Sequence, residues 1–254
     1  MGVLRKFGFR NKVEKSAELV ASYLRERYED RVAHGPFKGM QLSRQAWWGT
    51  KDASSKLLGV YERQVQDQLE AFASNASVLI DIGAADGYMA IGAVRSGLYE
   101  RGICFEISES GRQRLKENAE ANGISDRIEI YGEATSETLD PLLADTADAV
   151  VLCDIEGAEF ELLSEDVLET ARHIRLIVEL HDPFVANGAE LKADLLERAS
   201  RWFDTAILKS ADIQLGRFPE LERFNDTQRL LAFSEGRGRA MEWLVLTPRA
   251  AAPQ

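Results

Sequence analysis

Cysteine, histidine and proline are scarce in this chain: two, three and six in 254 residues. Cys104 and Cys153 lie far apart and in no metal-type spacing, which argues against a disulfide framework and a cysteine-rich zinc module. Each falls in an apolar, strand-like run and reads as a buried structural thiol. Long hydrophobic runs are missing too. None approaches the ~18 residues that a membrane span requires. Basic charge is in deficit, with 31 Lys and Arg against 42 Asp and Glu and a net charge of −11. A broad basic face for duplex nucleic acid needs clustered Lys and Arg, so no nucleic-acid partner is expected. The first residues are basic (Arg5, Lys6, Arg10, Lys12) but no apolar segment follows, as a signal peptide would need. The opening Met-Gly is followed by Lys6 where a myristoylation signal wants Ser or Thr. The expectation is a cytoplasmic protein, long enough to bury a core without disulfide or metal staples.

What is present is alternation. Residues 11–30 carry Val13, Ala17, Val20, Ala21, Leu24 and Tyr28 at helical spacing, which predicts an amphipathic helix. Its polar face mixes both charge signs, so it reads as a helix packed on protein rather than lying on a membrane. A helix is expected from Leu57 to Phe72. Strands are then expected at Val78–Ile82, Gly102–Glu106, Arg127–Tyr131, Ala147–Cys153, Ile174–Leu180, Thr205–Lys209 and Met241–Leu246. Helices fall between them at Gly87–Arg95, Gly111–Ala121, 159–170 and Ala189–Trp202. Strands alternating with helices predict an α/β domain whose mostly parallel sheet is covered on both faces.

Open α/β sheets bind ligands at the C-terminal ends of their strands. The first strand runs into Asp81-Ile82-Gly83-Ala84-Ala85-Asp86-Gly87, and the helix opens at Gly87. Glycine lets backbone approach a ligand, and a helix N-terminus offers free N–H groups to an anion. A dinucleotide loop reads G-x-G-x-x-G and accepts a pyrophosphate. This one reads D-x-G-x-x-x-G and holds two carboxylates without Lys or Arg, which would repel a pyrophosphate. The same carboxylates suit the ammonium of an amino-acid cofactor, and S-adenosylmethionine has both that group and a cationic sulfonium. The second strand ends at Glu106, about 20 residues beyond the loop, where an acid suits ribose hydroxyls. Ile107 follows it. After the third strand, Glu133 and Ala134 stand where an adenine would be met. The cofactor set is therefore Asp81, Gly83, Ala84, Ala85, Asp86, Gly87, Glu106, Ile107, Glu133 and Ala134, with Asp154 beside them.

From Tyr61 to Leu246 the order of elements resembles class I methyltransferases. A narrower resemblance is carried by Cys153-Asp154-Ile155-Glu156-Gly157-Ala158-Glu159, which looks like the D-x-E-G-x-E signature of FkbM-type methyltransferases. Val178-Glu179-Leu180-His181 looks like that family's E-x-H segment. The resemblance implies a Rossmann-like seven-stranded class I sheet and S-adenosylmethionine as cofactor. It also implies O-methylation of a sugar or other hydroxylated small molecule. The chain is expected to divide into a lead-in at 1–56 and a methyltransferase domain at 57–249 with an insertion at 210–240, and the terminal residues 250–254 read as a disordered tail.

Asp154, Glu156 and Glu159 follow the fourth strand; Glu179, His181 and Asp182 end the fifth. These strands are neighbours in such a sheet, so the groups should converge. Methylating a hydroxyl requires losing its proton, and histidine accepts a proton best near neutral pH. The catalytic set is His181 as general base with Glu179, Asp154 and Glu156. A divalent metal on Asp154, Glu179 and His181 is chemically allowed, but the set is read without one. The alternative role for Asp154 or Glu156 is to cap the next helix, and Glu159 reads as a solvated or structural helix residue. Arg217, Phe218, Phe224 and Arg229 suggest a substrate-facing insertion or lid. Trp47, Trp48, Tyr61 and Glu62 either close the site's other side or pack the lead-in. Two other readings are a non-catalytic cofactor-binding or regulatory module and a nucleotide-dependent oxidoreductase, and a homo-oligomer stays open.

Overall fold

The computed structural model describes residues 2–43, 52–208 and 214–249, with side chains from residue 12 onward. Its elements are helix α1 (Gly2–Tyr28), α2 (Ala53–Leu58), α3 (Arg63–Ala73), strand β1 (Val78–Ile82), α4 (Tyr88–Arg95), β2 (Arg101–Phe105), α5 (Glu109–Ala121), β3 (Ile128–Tyr131) and α6 (Ser136–Asp145). They continue with β4 (Ala149–Cys153), α7 (Glu159–Leu162), α8 (Glu165–Thr170), β5 (Arg175–Leu180), α9 (Gly188–Ala199), β6 (Phe203–Leu208), α10 (Asp226–Leu231) and β7 (Glu242–Pro248). No helix among the described residues is long and apolar enough to cross a membrane.

The seven strands form one sheet in the order β3-β2-β1-β4-β5-β7-β6. Pairings from β3 through β5 are parallel, and β7 runs antiparallel to both neighbours. This is the seven-stranded, mostly parallel sheet expected from the alternation. β1 and β4 are buried along their whole length, which is why they read as unbroken apolar runs. On one face Ile80, Ile103, Val151, Leu176 and Leu244 share a core with Leu139 and Leu143 of α6, Leu168 of α8 and Leu195 of α9. On the other, α4 packs on β1 and β2, and Tyr99 anchors α3 by donating to the Leu69 carbonyl at 2.9 Å.

The chain divides into two compact units. One holds the sheet, from Gln64 to Ser210 and from Met241 onward. The other joins the first 63 residues to 211–240. In that second unit Val20 and Leu24 of α1 and Leu57 and Leu58 of α2 share a core with Phe218, Leu221 and Phe224. Phe218 and Phe224, read from sequence as lid residues, are thus buried core residues of this unit.

Several element boundaries differ from the sequence expectation. The helix expected at 57–72 is two helices, because Gly59 closes α2 in the left-handed region at φ 75°. A Cβ there would lie 2.0 Å from the His34 carbonyl oxygen, so the break is built into the packing. The helix expected at 159–170 is split because Ser164 restarts it, accepting from the Val167 amide at 3.3 Å. Helix α6 was not expected. Pro141 sits inside it, and the first-turn signal is unusual: the Thr138 hydroxyl accepts from the Thr135 amide at 2.9 Å. The first helix begins at Gly2 rather than residue 11. Trp47, Trp48, Lys209 and the tail 250–254 lie outside the described residues.

Candidate active site

Register decides which side chains meet. Ile82 lies opposite Phe105 of β2 on one side and Cys153 of β4 on the other, and Cys153 lies opposite Val178 of β5. The residues just beyond these positions therefore emerge together at the C-terminal edge of the sheet. The chain leaves β1 toward β2 and β3 on one side and toward β4 and β5 on the other, which makes the β1/β4 boundary the switch point of this sheet.

The loop after β1 is held by its neighbours. The Gly83 and Ala84 amides both donate to the Phe105 carbonyl at 2.9 Å, and the Asp154 amide donates to the Ile82 carbonyl at 2.9 Å. Gly83 has φ 88°, and a Cβ there would lie 1.8 Å from the Asp154 carbonyl oxygen. Glycine is thus required by the approach of the β4 loop, in addition to any ligand contact. Ala85 stands at φ 50°, a strained position for a residue with a Cβ. Its amide donates to Glu106 Oε2 at 2.9 Å, while Glu106 Oε1 accepts from the Ser108 amide at 2.7 Å. Glu106 clamps the two loops together. Arg112 of α5 ties down the second loop, donating to the Glu106 and Ile107 carbonyls at 2.8 Å. Asn118 of α5 holds the first, donating to the Asp86 carbonyl at 2.7 Å. Gly87, at φ 83°, caps α4.

Asp81 is 3% exposed, and its Oδ2 is buried without a hydrogen-bond partner among the described residues. Burial raises its pKa from 3.8 to about 7; the Ala90 amide offsets this in part, and the charges of Glu106 and Asp86 add to it. A buried acid with an orphaned oxygen beside a carboxylate-rich loop fits a cationic ligand group. Ile107 is 71% exposed beyond β2, a large apolar side chain offered to solvent at the same edge. Beyond β3, Glu133 is exposed and Ala134 half-buried. Tyr131 stacks on Phe105 with ring centroids 5.2 Å apart.

The second cluster surrounds His181, which is buried at the end of β5. Its Nε2 lies 3.5 Å from Asp154 Oδ1, 3.5 Å from Glu156 Oε2 and 3.3 Å from Glu179 Oε2. Its Nδ1 lies 3.3 Å from Glu159 Oε1. All four acids expected from the two motifs are thus gathered on one imidazole. Burial alone would lower the ring's pKa, but hydrogen bonding to Glu159 and Glu179 and the charges of Asp154 and Glu179 outweigh it and raise it to about 10. A ring whose pKa is raised holds its proton tightly, which favours the neighbouring carboxylates over His181 as the group that receives a proton. Glu159 takes the structural of its two expected roles rather than the solvated one: fully buried, it accepts from the Gly157 amide and the His181 amide, each at 2.8 Å. Neither Asp154 nor Glu156 caps α7, whose N-cap is Ala158 with no side-chain hydrogen bond. Glu156 adopts φ 54°.

Asp182 stands apart from this cluster and pairs with Lys192 of α9 at 3.7 Å. Glu62 is committed to an ion pair with Arg237 inside its own unit. Sequence reading missed Arg112 and Asn118. Asn118 had a signal, a polar side chain on the inward face of α5. Phe184, 57% exposed and 6.5 Å from the His181 ring, was also missed; an aromatic next to the E-x-H segment would have marked it. Both cysteines are buried as expected, and burial pushes their thiols up.

The sheet order, the reversed β7 and the acid-lined switch point define a class I methyltransferase fold. The O-methyltransferase from Bacillus cereus, solved with S-adenosylhomocysteine, superposes with a TM-score of 0.51 over 92% of this chain and 91% of that one, at 11% identity. No protein-family model matches the chain. Among curated proteins, the ribosomal protein L11 methyltransferase of Yersinia pseudotuberculosis is 36% identical over 63 residues, 25% of this chain and 21% of that protein. That of Salmonella arizonae is 33% identical over 84 residues, 33% of this chain and 28% of that protein. The matched stretch thus spans less than a third of these relatives.

Proposed function

We propose that this chain is an S-adenosylmethionine-dependent methyltransferase of the FkbM type, acting on a hydroxyl of a small molecule or sugar. The observation that carries this reading is the composition of the β1 edge. Buried Asp81 and Glu106 and the nearby Asp86 surround a loop with no Lys or Arg in it. Such an edge welcomes the ammonium and ribose of an aminoacyl nucleoside and repels a pyrophosphate. An oxidoreductase using a dinucleotide is disfavoured on that ground. A purely regulatory cofactor-binding module would need no acidic cluster beyond β4 and β5.

When bound, the cofactor supplies an electrophilic methyl group on a sulfonium. The chain's own residues do the rest by position and charge. Glu106 would bind the ribose and Asp81 and Asp86 the amino-acid end, and the tied loops keep that edge in place. Asp154, Glu156 and Glu179 orient the acceptor hydroxyl. Methylating that hydroxyl would release its proton, and one of these carboxylates would take it. His181 holds them together.

Calorimetry should show binding of S-adenosylhomocysteine and no comparable binding of NAD. Glu106→Ala should weaken the former by about 1.5–3 kcal/mol, the scale of a hydrogen bond involving a charged group. Preferential NAD binding, or an unchanged affinity in the variant, would contradict the reading.

A further inference from the structure

The whole-chain net charge of −11 hides a division between the two units. The unit built from residues 1–63 and 211–240 holds 18 Lys and Arg against 12 Asp and Glu, a net of +6. The sheet unit holds 13 against 30, a net of −17. Such an asymmetry points to an anionic partner for the basic part. Summed over the chain, the acidic excess conceals it, which is why composition alone speaks against nucleic acid.

Helix α1 shows where that partner would lie. Val20 and Leu24 are buried in the core of the basic unit, so the helix is held along one side. On the exposed side Lys12, Lys15, Leu19, Tyr23 and Arg27 follow one another at spacings of three and four, which sets them in one stripe. The stripe runs along about 22 Å of helix. Lys12, Lys15 and Arg27 are exposed, Leu19 is 53% exposed and Tyr23 is half-buried. Arg223, also exposed, lays its guanidinium over the Tyr23 ring, 4.4 Å from the centroid. An edge-on contact with Phe224, centroids 5.3 Å apart, fixes that ring from another side. Helical spacing sends Glu14 and Glu18 to a different flank and leaves Glu26 as the acid of α1 nearest the stripe.

We infer that this stripe of α1, together with Arg223, is a docking surface for single-stranded RNA. Lys12, Lys15, Arg27 and Arg223 can neutralise phosphates along an extended strand. A tyrosine ring with an arginine plane beside it, and an exposed leucine, offer surface on which unpaired bases stack. RNA presents such bases in loops, bulges and ends. A duplex keeps its bases stacked inside and makes no use of Leu19 and Tyr23. A membrane surface needs a broad apolar face, and the apolar face of α1 is buried in its own unit. None of these residues belongs to the β1 edge or to the His181 cluster, so the inference stands apart from the methyltransferase reading.

A short fluorescent RNA single strand of mixed sequence is the probe, followed by anisotropy with the intact chain. It should bind at low salt. With four cations engaged, the log–log dependence on salt should have a slope of about −3, at about −0.7 per phosphate. Lys12→Gln, Lys15→Gln and Arg27→Gln combined should weaken binding by about 10-fold or more and bring the slope to about −1. Tyr23→Leu, which keeps an apolar side chain against Phe224, should weaken binding about 5-fold or more and leave the slope unchanged. Arg101→Gln, Lys116→Gln and Arg172→Gln combined remove the same charge from exposed positions of the sheet unit and should change binding little. Thermal melting and S-adenosylhomocysteine affinity should be the same in all of these variants. Equal losses in the two triple variants overturn the inference, because binding then follows net charge and not the stripe. Tighter binding of the matching duplex overturns it as well. So does no binding of RNA at low salt; flotation with phosphatidylglycerol vesicles in that case reassigns the stripe to a membrane.

Discussion

Two buried acids, one in each unit, are treated in opposite ways. Glu220 lies in the unit built from the first 63 residues and 211–240. It accepts from the Tyr28 hydroxyl at 2.8 Å and bonds His34 Nε2 at 2.7 Å. Burial would raise its pKa, but the hydrogen bonds from His34, its own backbone and Tyr28 more than offset this and lower it. Asp81 lies in the sheet unit. Burial raises it to about 7, and one oxygen finds no partner. A buried charge that serves the fold is satisfied by the fold; a buried charge left wanting marks a place where something else binds.

The contrast can be broken by pH. The folded pKa of Asp81 is raised above its unfolded value, so the folded state binds the extra proton. Stability from this group is complete below about pH 4 and is lost as pH rises toward about 7. At about 1.36 kcal/mol per unit the swing is up to roughly 4 kcal/mol. Glu220 runs the other way. Its pKa is lowered, so its contribution is present above the unfolded carboxylate range and is lost as pH falls through the folded value. In chemical denaturation from pH 4 to 8, Asp81→Asn should gain stability relative to wild type as pH rises. A constant difference across that range would mean Asp81 is charged throughout and satisfied.

A smaller effect sharpens the same comparison. Glu220→Ala leaves the Tyr28 hydroxyl and His34 without their acceptor and should cost about 1–3 kcal/mol near neutral pH. Affinity for S-adenosylhomocysteine should not change. A variant with full stability and weakened cofactor binding would reverse the roles given to the two acids.

Much of this was legible in the sequence because the sheet imposes it. Val78–Ile82 and Ala149–Cys153 are buried on both faces, so their apolar runs named them as strands. Once these were placed, Asp81, Glu106, Asp154 and His181 had to fall at strand ends. Less legible was what happens between side chains distant in sequence. Gly83 is forced by the Asp154 carbonyl, 71 positions away, and sequence offered only the ligand as its reason. His181 looked like a base when read alone; four acids converge on it from one loop, one helix and one strand, and they raise its pKa. The breaks at Gly59 and Ser164 interrupt helical periodicity too briefly to interrupt the pattern. Phe218 and Phe224 sat in a stretch with no periodicity, and the helices they pack on are about 160 to 200 residues earlier.

The most direct test is transfer itself. The purified chain, incubated with S-adenosylmethionine labelled on its methyl group and a fractionated small-molecule extract, should pass label to a hydroxyl-bearing compound and release S-adenosylhomocysteine in equal amount. Loss of label from the cofactor with no labelled acceptor in any fraction would contradict the account.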